Sequence, residues 1–119
     1  MAEGDLELPR RHEAEIPPAK LKGYALDPDH DEGKNKARVF ASALGIRQAD
    51  WEYLAEQIMA GIDRSPVIGV RTEGPWGWLY EIRMETDGLN GQTHPVTTVW
   101  FSEAGTGSPR LTTTYVVVP

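Results

Sequence analysis

No cysteine occurs among the 119 residues, which removes a disulfide framework, a thiolate nucleophile and a cysteine zinc site. Histidine is scarce: His12, His30 and His94 cannot close a structural zinc site without carboxylate help. No run approaches the roughly 18 apolar residues of a membrane span, and the N-terminus has no apolar stretch of the signal-peptide kind. Positive charge is also in deficit. Twelve Lys and Arg face 18 Asp and Glu, leaving a formal charge of −6. Phosphates are gripped by Lys and Arg, so this balance argues against tight nucleic-acid binding. The expectation is a cytoplasmic bacterial protein or a delivered toxin domain, with no membrane contact and no cofactor.

What is present suffices for one domain. Residues 1–15 are mostly charged or small, with Leu6 and Leu8 as the large apolar groups after Met1. They read as a disordered acidic arm, because so little apolar surface cannot offset chain entropy. Residues 16–119 form the domain, which Ile16-Pro17-Pro18 enters extended. Ala37, Phe40, Ala41 and Leu44 fall at i, i+3, i+4 and i+7, which predicts a helix from Gly33 to Leu44 capped by Gly45. A second helix follows Asp50 as N-cap, with Trp51, Leu54, Ala55, Ile58, Met59 and Ile62 on its stripe.

After Pro66 the period becomes two. Strands are predicted at Val67–Glu73, Trp78–Thr86, Pro95–Ser102 and Arg110–Val118, separated by turns rich in Gly, Pro and Asn. Alternation places Leu111, Thr113, Tyr115 and Val117 on one face of the last strand. The predicted class is α+β: two N-terminal helices packed on one face of a four-stranded antiparallel meander.

The charge is uneven, and residues 20–49, with six basic and four acidic groups, are the only net-positive stretch. Within it stands Asp27-Pro28-Asp29-His30-Asp31-Glu32-Gly33-Lys34-Asn35-Lys36-Ala37-Arg38. Lys34 and Arg38 share a helix face, with Lys36 to one side. A histidine beside cations is what phosphodiester cleavage requires: a proton carrier and a stabiliser of phosphate charge. The same residues also read as a solvated helix entry that keeps the protein soluble. A calcium loop is a poor match, because Gly33 falls six residues after Asp27 rather than five. Elsewhere, Thr112, Thr113, Thr114 and Tyr115 read either as strand formers or as hydroxyls on an open face. Arg83 and Arg110 are placed to serve that face. Trp76, in a Gly/Pro turn, reads as exposed and able to stack on a base, whereas Trp78 and Trp100 read as core. His94 reads as an edge residue.

Three segments resemble a known family. They are Lys20 to His30, Gly33 to Phe40, and Thr98-Val99-Trp100 with Pro109-Arg110-Leu111-Thr112-Thr113. The family comprises small bacterial domains of unknown function that pair an L-x-P-x-H-x-x-G-x-x-K-A-x-x-F opening with a T-V-W…P-R-x-V-T-A-Y-P ending. Its motif positions fall on His30, Gly33, Lys36, Arg110, Thr113 and Tyr115, with Thr114 and Val116 departing from the Ala and Pro of the ending. The element order and ending are in turn similar to the barnase–EndoU–colicin–RelE group of ribonuclease folds.

Two functions follow from this reading. The first is a metal-independent, toxin-type ribonuclease. In it His30 is general base or acid, Lys36, Lys34 or Arg110 stabilise the phosphorane, and Thr113 and Tyr115 orient phosphate or donate a proton. Lys34, Arg38, Arg83 and Trp76 would then bind RNA. The second is a non-catalytic accessory or immunity-type module, whose −6 charge suits a basic protein partner. The discriminating feature is whether the Lys34/Lys36/Arg38 group and the Thr113/Tyr115 strand converge on one concave site.

Overall fold

The computed structural model describes residues 6–104 and 107–118. Three helices precede four strands. Helix α1 (Pro18–Lys20) opens with proline, whose missing N–H has no partner to lose in a first turn. It widens at once into a π-helical turn over Leu21–Ala25. Helix α2 (Lys34–Val39) widens in the same way over Phe40–Leu44, and Gly45 ends it at φ 66°, where a side chain would be strained. A 3₁₀ turn at Gln48–Asp50 leads into α3 (Trp51–Arg64).

The strands β1 (Val67–Thr72), β2 (Gly77–Asp87), β3 (Thr93–Glu103) and β4 (Pro109–Val116) lie in the order β1-β2-β3-β4, every pair antiparallel. The α+β meander predicted from the periodicity is therefore present. It carries a helical segment at residues 18–25 that the pattern did not announce, because the Pro17-Pro18 pair masks it. Asp50 is not the side-chain cap of α3; its carboxylate instead accepts the backbone N–H of Arg47 at 2.9 Å.

One core joins the layers. Ile82, Met84, Val96, Trp100 and Leu111 line the sheet side, and Leu21, Phe40, Leu44, Leu54 and Ile58 face them from the helices. Trp100 is fully buried, and its indole N–H donates to Thr98 Oγ1 at 2.8 Å, so no donor is left unpaired. Trp78, expected in the core, is instead 41% exposed near the start of β2, where it opposes Thr72 of the edge strand β1.

In β4 the alternation breaks. Val99 opposes Thr113 and Trp100 opposes Leu111, so Thr112 is an inserted residue that donates its hydroxyl to Val99 O at 3.1 Å. This bulge shifts the phase, so that Leu111, Thr114 and Val116 are the buried positions. The face predicted to hold Leu111 together with Thr113 and Tyr115 is thereby split.

The described part of the N-terminal arm also departs from expectation; residues 1–5 lie outside the described residues. Leu8 is 1% exposed and belongs to the core cluster, with Ala14 and Ile16 packed against it. Leu6 O accepts the N–H of Val67 at 2.7 Å, and Glu15 forms a parallel bridge to Arg110. Arg11 reaches Asp63 of α3 at 3.3 Å. Composition missed this because one leucine, placed by two backbone pairings, anchors the whole segment. Replacing Leu8 with Ala is expected to lower unfolding free energy in urea by about 2–5 kcal/mol. A change under about 0.5 kcal/mol, the level of a surface substitution, would mean that the segment does not pack.

Candidate functional site

The segments before and inside α2 meet in a tight turn. Asp27 Oδ1 accepts the N–H of Asp29 at 2.9 Å, turning the chain after the first π-helical turn. His30 Nδ1 then accepts two backbone N–H groups, from Glu32 at 3.0 Å and Gly33 at 2.9 Å. The imidazole thus caps α2, whose own N-cap, Gly33, has no side chain to do so. Gly33 is required for a separate reason. A Cβ there would lie 2.1 Å from the carbonyl oxygen of Tyr24, so only glycine permits the two segments to touch.

That contact brings three side chains together. Lys36, one turn into α2, donates from Nζ to the Tyr24 hydroxyl at 2.6 Å. The His30 ring stands edge-on to Tyr24, with centroids 5.0 Å apart and planes at 86°. Thr113 of β4 completes the group from the sheet. The hydrogen bond from Lys36 holds the Tyr24 phenol below its ordinary pKa. Partial burial works against this, Thr113 and the charge of Lys36 add to it, and Glu32 opposes it weakly. The Thr113 hydroxyl lies close enough to favour the phenolate, yet its buried Oγ1 makes no hydrogen bond of ordinary geometry. It is therefore a buried hydroxyl beside the phenol with no settled hydrogen-bond partner.

Because Nδ1 accepts both N–H groups, the tautomer that matches this geometry carries its proton on Nε2. His30 consequently offers a donor and no free lone pair.

The other residues singled out by sequence are dispersed. Lys34 and Arg38 line a cleft with Arg47. Tyr115 is exposed on β4, two residues beyond Thr113. It opposes Thr97, which opposes Arg83, so these three form one row across the sheet. Thr97 Oγ1 is buried without a partner, as is Thr113 Oγ1 in the adjacent row. Arg83 lies 4.0 Å from Glu81. Arg110 stands at the Glu15 bridge beside a shallow hollow that also contains Glu103 and Ser108, apart from Tyr24. Trp76 is 67% exposed in its turn. Lys36 and the Thr113 strand therefore converge, while Lys34 and Arg38 do not join them. Among the described residues, no three His, Asp or Glu side chains cluster closely enough to hold a metal ion.

Tyr24 was not singled out by sequence. Its partners lie 12 residues along the chain and on a strand, a distance that no local pattern encodes.

The sequence of the chain matches a known family. Residues 7–118 match the model of the family described as Domain of unknown function (DUF6883), and the chain belongs to it. Among curated proteins none matches. Among solved structures, the fold is similar to a chain of a contact-dependent growth inhibition toxin–immunity protein complex from Klebsiella pneumoniae 342. The TM-score is 0.68 at 14% identity, covering 86% of this chain and 98% of that one. At that identity the likeness is one of fold.

The lowered phenol yields a measurable consequence. In the ultraviolet difference between wild type and Tyr24→Phe, one tyrosine is expected to ionise below the usual value of about 10. Lys36→Met is expected to move it back up. Because the folded-state value is the lower one, Tyr24 ionisation stabilises the fold above the ordinary phenol pKa. That increment disappears as pH falls through the depressed value. An unshifted difference titration would mean that Lys36 does not hold the phenol.

Proposed function

We propose that this member of the DUF6883 family cleaves RNA by acid/base chemistry at the cluster of Tyr24, Lys36, His30 and Thr113. One observation carries the reading: a lysine ammonium 2.6 Å from a half-buried phenol whose pKa it lowers, next to Thr113 of β4. Tyr24, as phenolate, takes the proton of a ribose 2′-hydroxyl. The 2′-oxygen then bonds to phosphorus and the bond to the 5′-oxygen breaks, leaving a 2′,3′-cyclic phosphate and a 5′-hydroxyl. The Lys36 ammonium and the His30 Nε2–H donate to the non-bridging oxygens, where charge develops. The proton for the leaving oxygen comes from Tyr115, with Thr113 orienting the phosphate between the two phenols. In this reading the proton-accepting role expected of His30 passes to Tyr24, because His30 Nδ1 is occupied. Arg83, in the row of Tyr115, supplies a further phosphate contact.

A chain of the same fold belongs to a toxin–immunity complex, and the catalytic reading takes the toxin side of such a pair. A second observation favours the immunity side. Exposed Ile68, Val70, Trp76 and Trp78 gather at the β1 edge of a chain whose charge is −6. Apolar side chains on a negative surface suit a basic protein partner.

Incubation of the purified chain with total and transfer RNA, with and without EDTA, tests the first reading. Cleavage is expected to survive EDTA. Tyr24→Phe and Lys36→Met are each expected to slow it by about 10²- to 10⁴-fold while leaving the unfolding midpoint near that of wild type. His30→Ala is expected to lose cleavage as well. Undiminished cleavage by the first two variants would overturn the assignment. Inactivity of a well-folded wild type would pass the case to the immunity-type reading.

A further inference from the structure

A cleft of about 870 Å³ is lined by one face of α2, by Leu26 and Pro28 before it, and by Arg47, Gln48 and Ala49 after it. Lys34 and Arg38, one turn apart, line one wall, and Arg47 approaches from the other. Lys36 is two residues from each of them, about 200° around the helix, which is why it faces Tyr24 instead. Among the described residues, none of the three cations forms an ion pair. Glu32, two residues before Lys34, lies close enough to Tyr24 for its charge to act on the phenol, and it forms no ion pair with Lys34. Asp27 accepts the N–H of Asp29, and Asp50 accepts the N–H of Arg47. The floor is aliphatic, formed by Leu26, Ala37, Ala41 and Ala49. Gln48 ties the far wall down by donating to Lys22 O at 2.6 Å.

Three unpaired cations around one concavity are notable in a chain of net charge −6. Their mutual repulsion favours an anion, and the aliphatic floor favours one that carries an apolar body. The volume falls within the range of about 300–1,000 Å³ typical of small-molecule sites. We propose that this cleft binds a nucleoside phosphate, with its phosphates on Lys34, Arg38 and Arg47 and its base against the alanine floor. A continuous RNA strand fits less well. To occupy both this cleft and the Tyr24 cluster it must cross a helix about 10 Å wide. The proposal does not depend on RNA cleavage.

Calorimetric titration of the full chain at low salt tests it, with ADP, GDP and UDP as ligands. Adenosine, pyrophosphate and a poly-glutamate peptide serve as comparison probes. At least one nucleoside diphosphate is expected to bind at least tenfold more tightly than adenosine or pyrophosphate. The double substitution Arg38→Gln, Arg47→Gln changes exposed side chains and is expected to weaken that binding at least tenfold. Ala49→Trp, which fills the floor, is expected to weaken nucleoside diphosphate but not pyrophosphate. Thermal unfolding of each variant confirms that it is folded. Absence of nucleotide binding at millimolar concentration would overturn the proposal. So would equal affinity for pyrophosphate, preference for the acidic peptide, or indifference to the double substitution.

Discussion

The backbone of Gly33 lies against the carbonyl of Tyr24, and the arrangement at that end of the molecule depends on this approach. Without it the widened turn after α1 and the start of α2 would be held apart by a side chain. With it, His30 sits over the first turn of α2 and Lys36 reaches the phenol. The core beneath supports the contact: Leu21, Ala25 and Phe40, on the same two segments, are all fully buried. Backbone closeness, apolar burial and a charge-assisted hydrogen bond thus reinforce one another at a single point.

The sheet supplies the other half. The inserted Thr112 breaks the alternation of β4, and Thr113 reaches the cluster from beyond that break. The N-terminal segment occupies the free side of β4 at Arg110, through the bridge from Glu15. The first part of this edge is therefore covered, and exposure returns at Tyr115. α2 divides the basic stretch in the same economical way. Lys36 faces the phenol, while Lys34 and Arg38 face a separate cleft, so two chemically different environments share one helix.

Periodicity and composition made the architecture legible, because the stripes of α2 and α3 and the β-branched, aromatic runs of the four strands mark each element in local sequence. What they could not convey was set by contacts between distant segments. Leu8 looks isolated in an acidic arm until Val67 and Pro109 pair with the backbone beside it. Trp78 follows the alternation of buried residues, yet it stands exposed beside the edge strand. The bulge at Thr112 has no signature in a run of three threonines. At the candidate site, His30, Gly33, Lys36 and Thr113 were all visible in the motif pattern. Tyr24 was not, because its importance comes from a hydrogen bond across 12 residues. The tautomer of His30 depends likewise on two backbone N–H groups that only the folded turn brings to Nδ1.

The central claim is that Tyr24, Lys36, His30 and Thr113 act on one ligand as one site. Backbone and side-chain resonances, followed by NMR during titration with an RNA oligonucleotide methylated at its 2′-oxygens, test this without requiring turnover. The account predicts that Tyr24, Gly33, Lys36 and Thr113 shift together, with one affinity, and that Tyr115 follows. Shifts confined to the Ile68–Trp78 edge, or none at all, would contradict it.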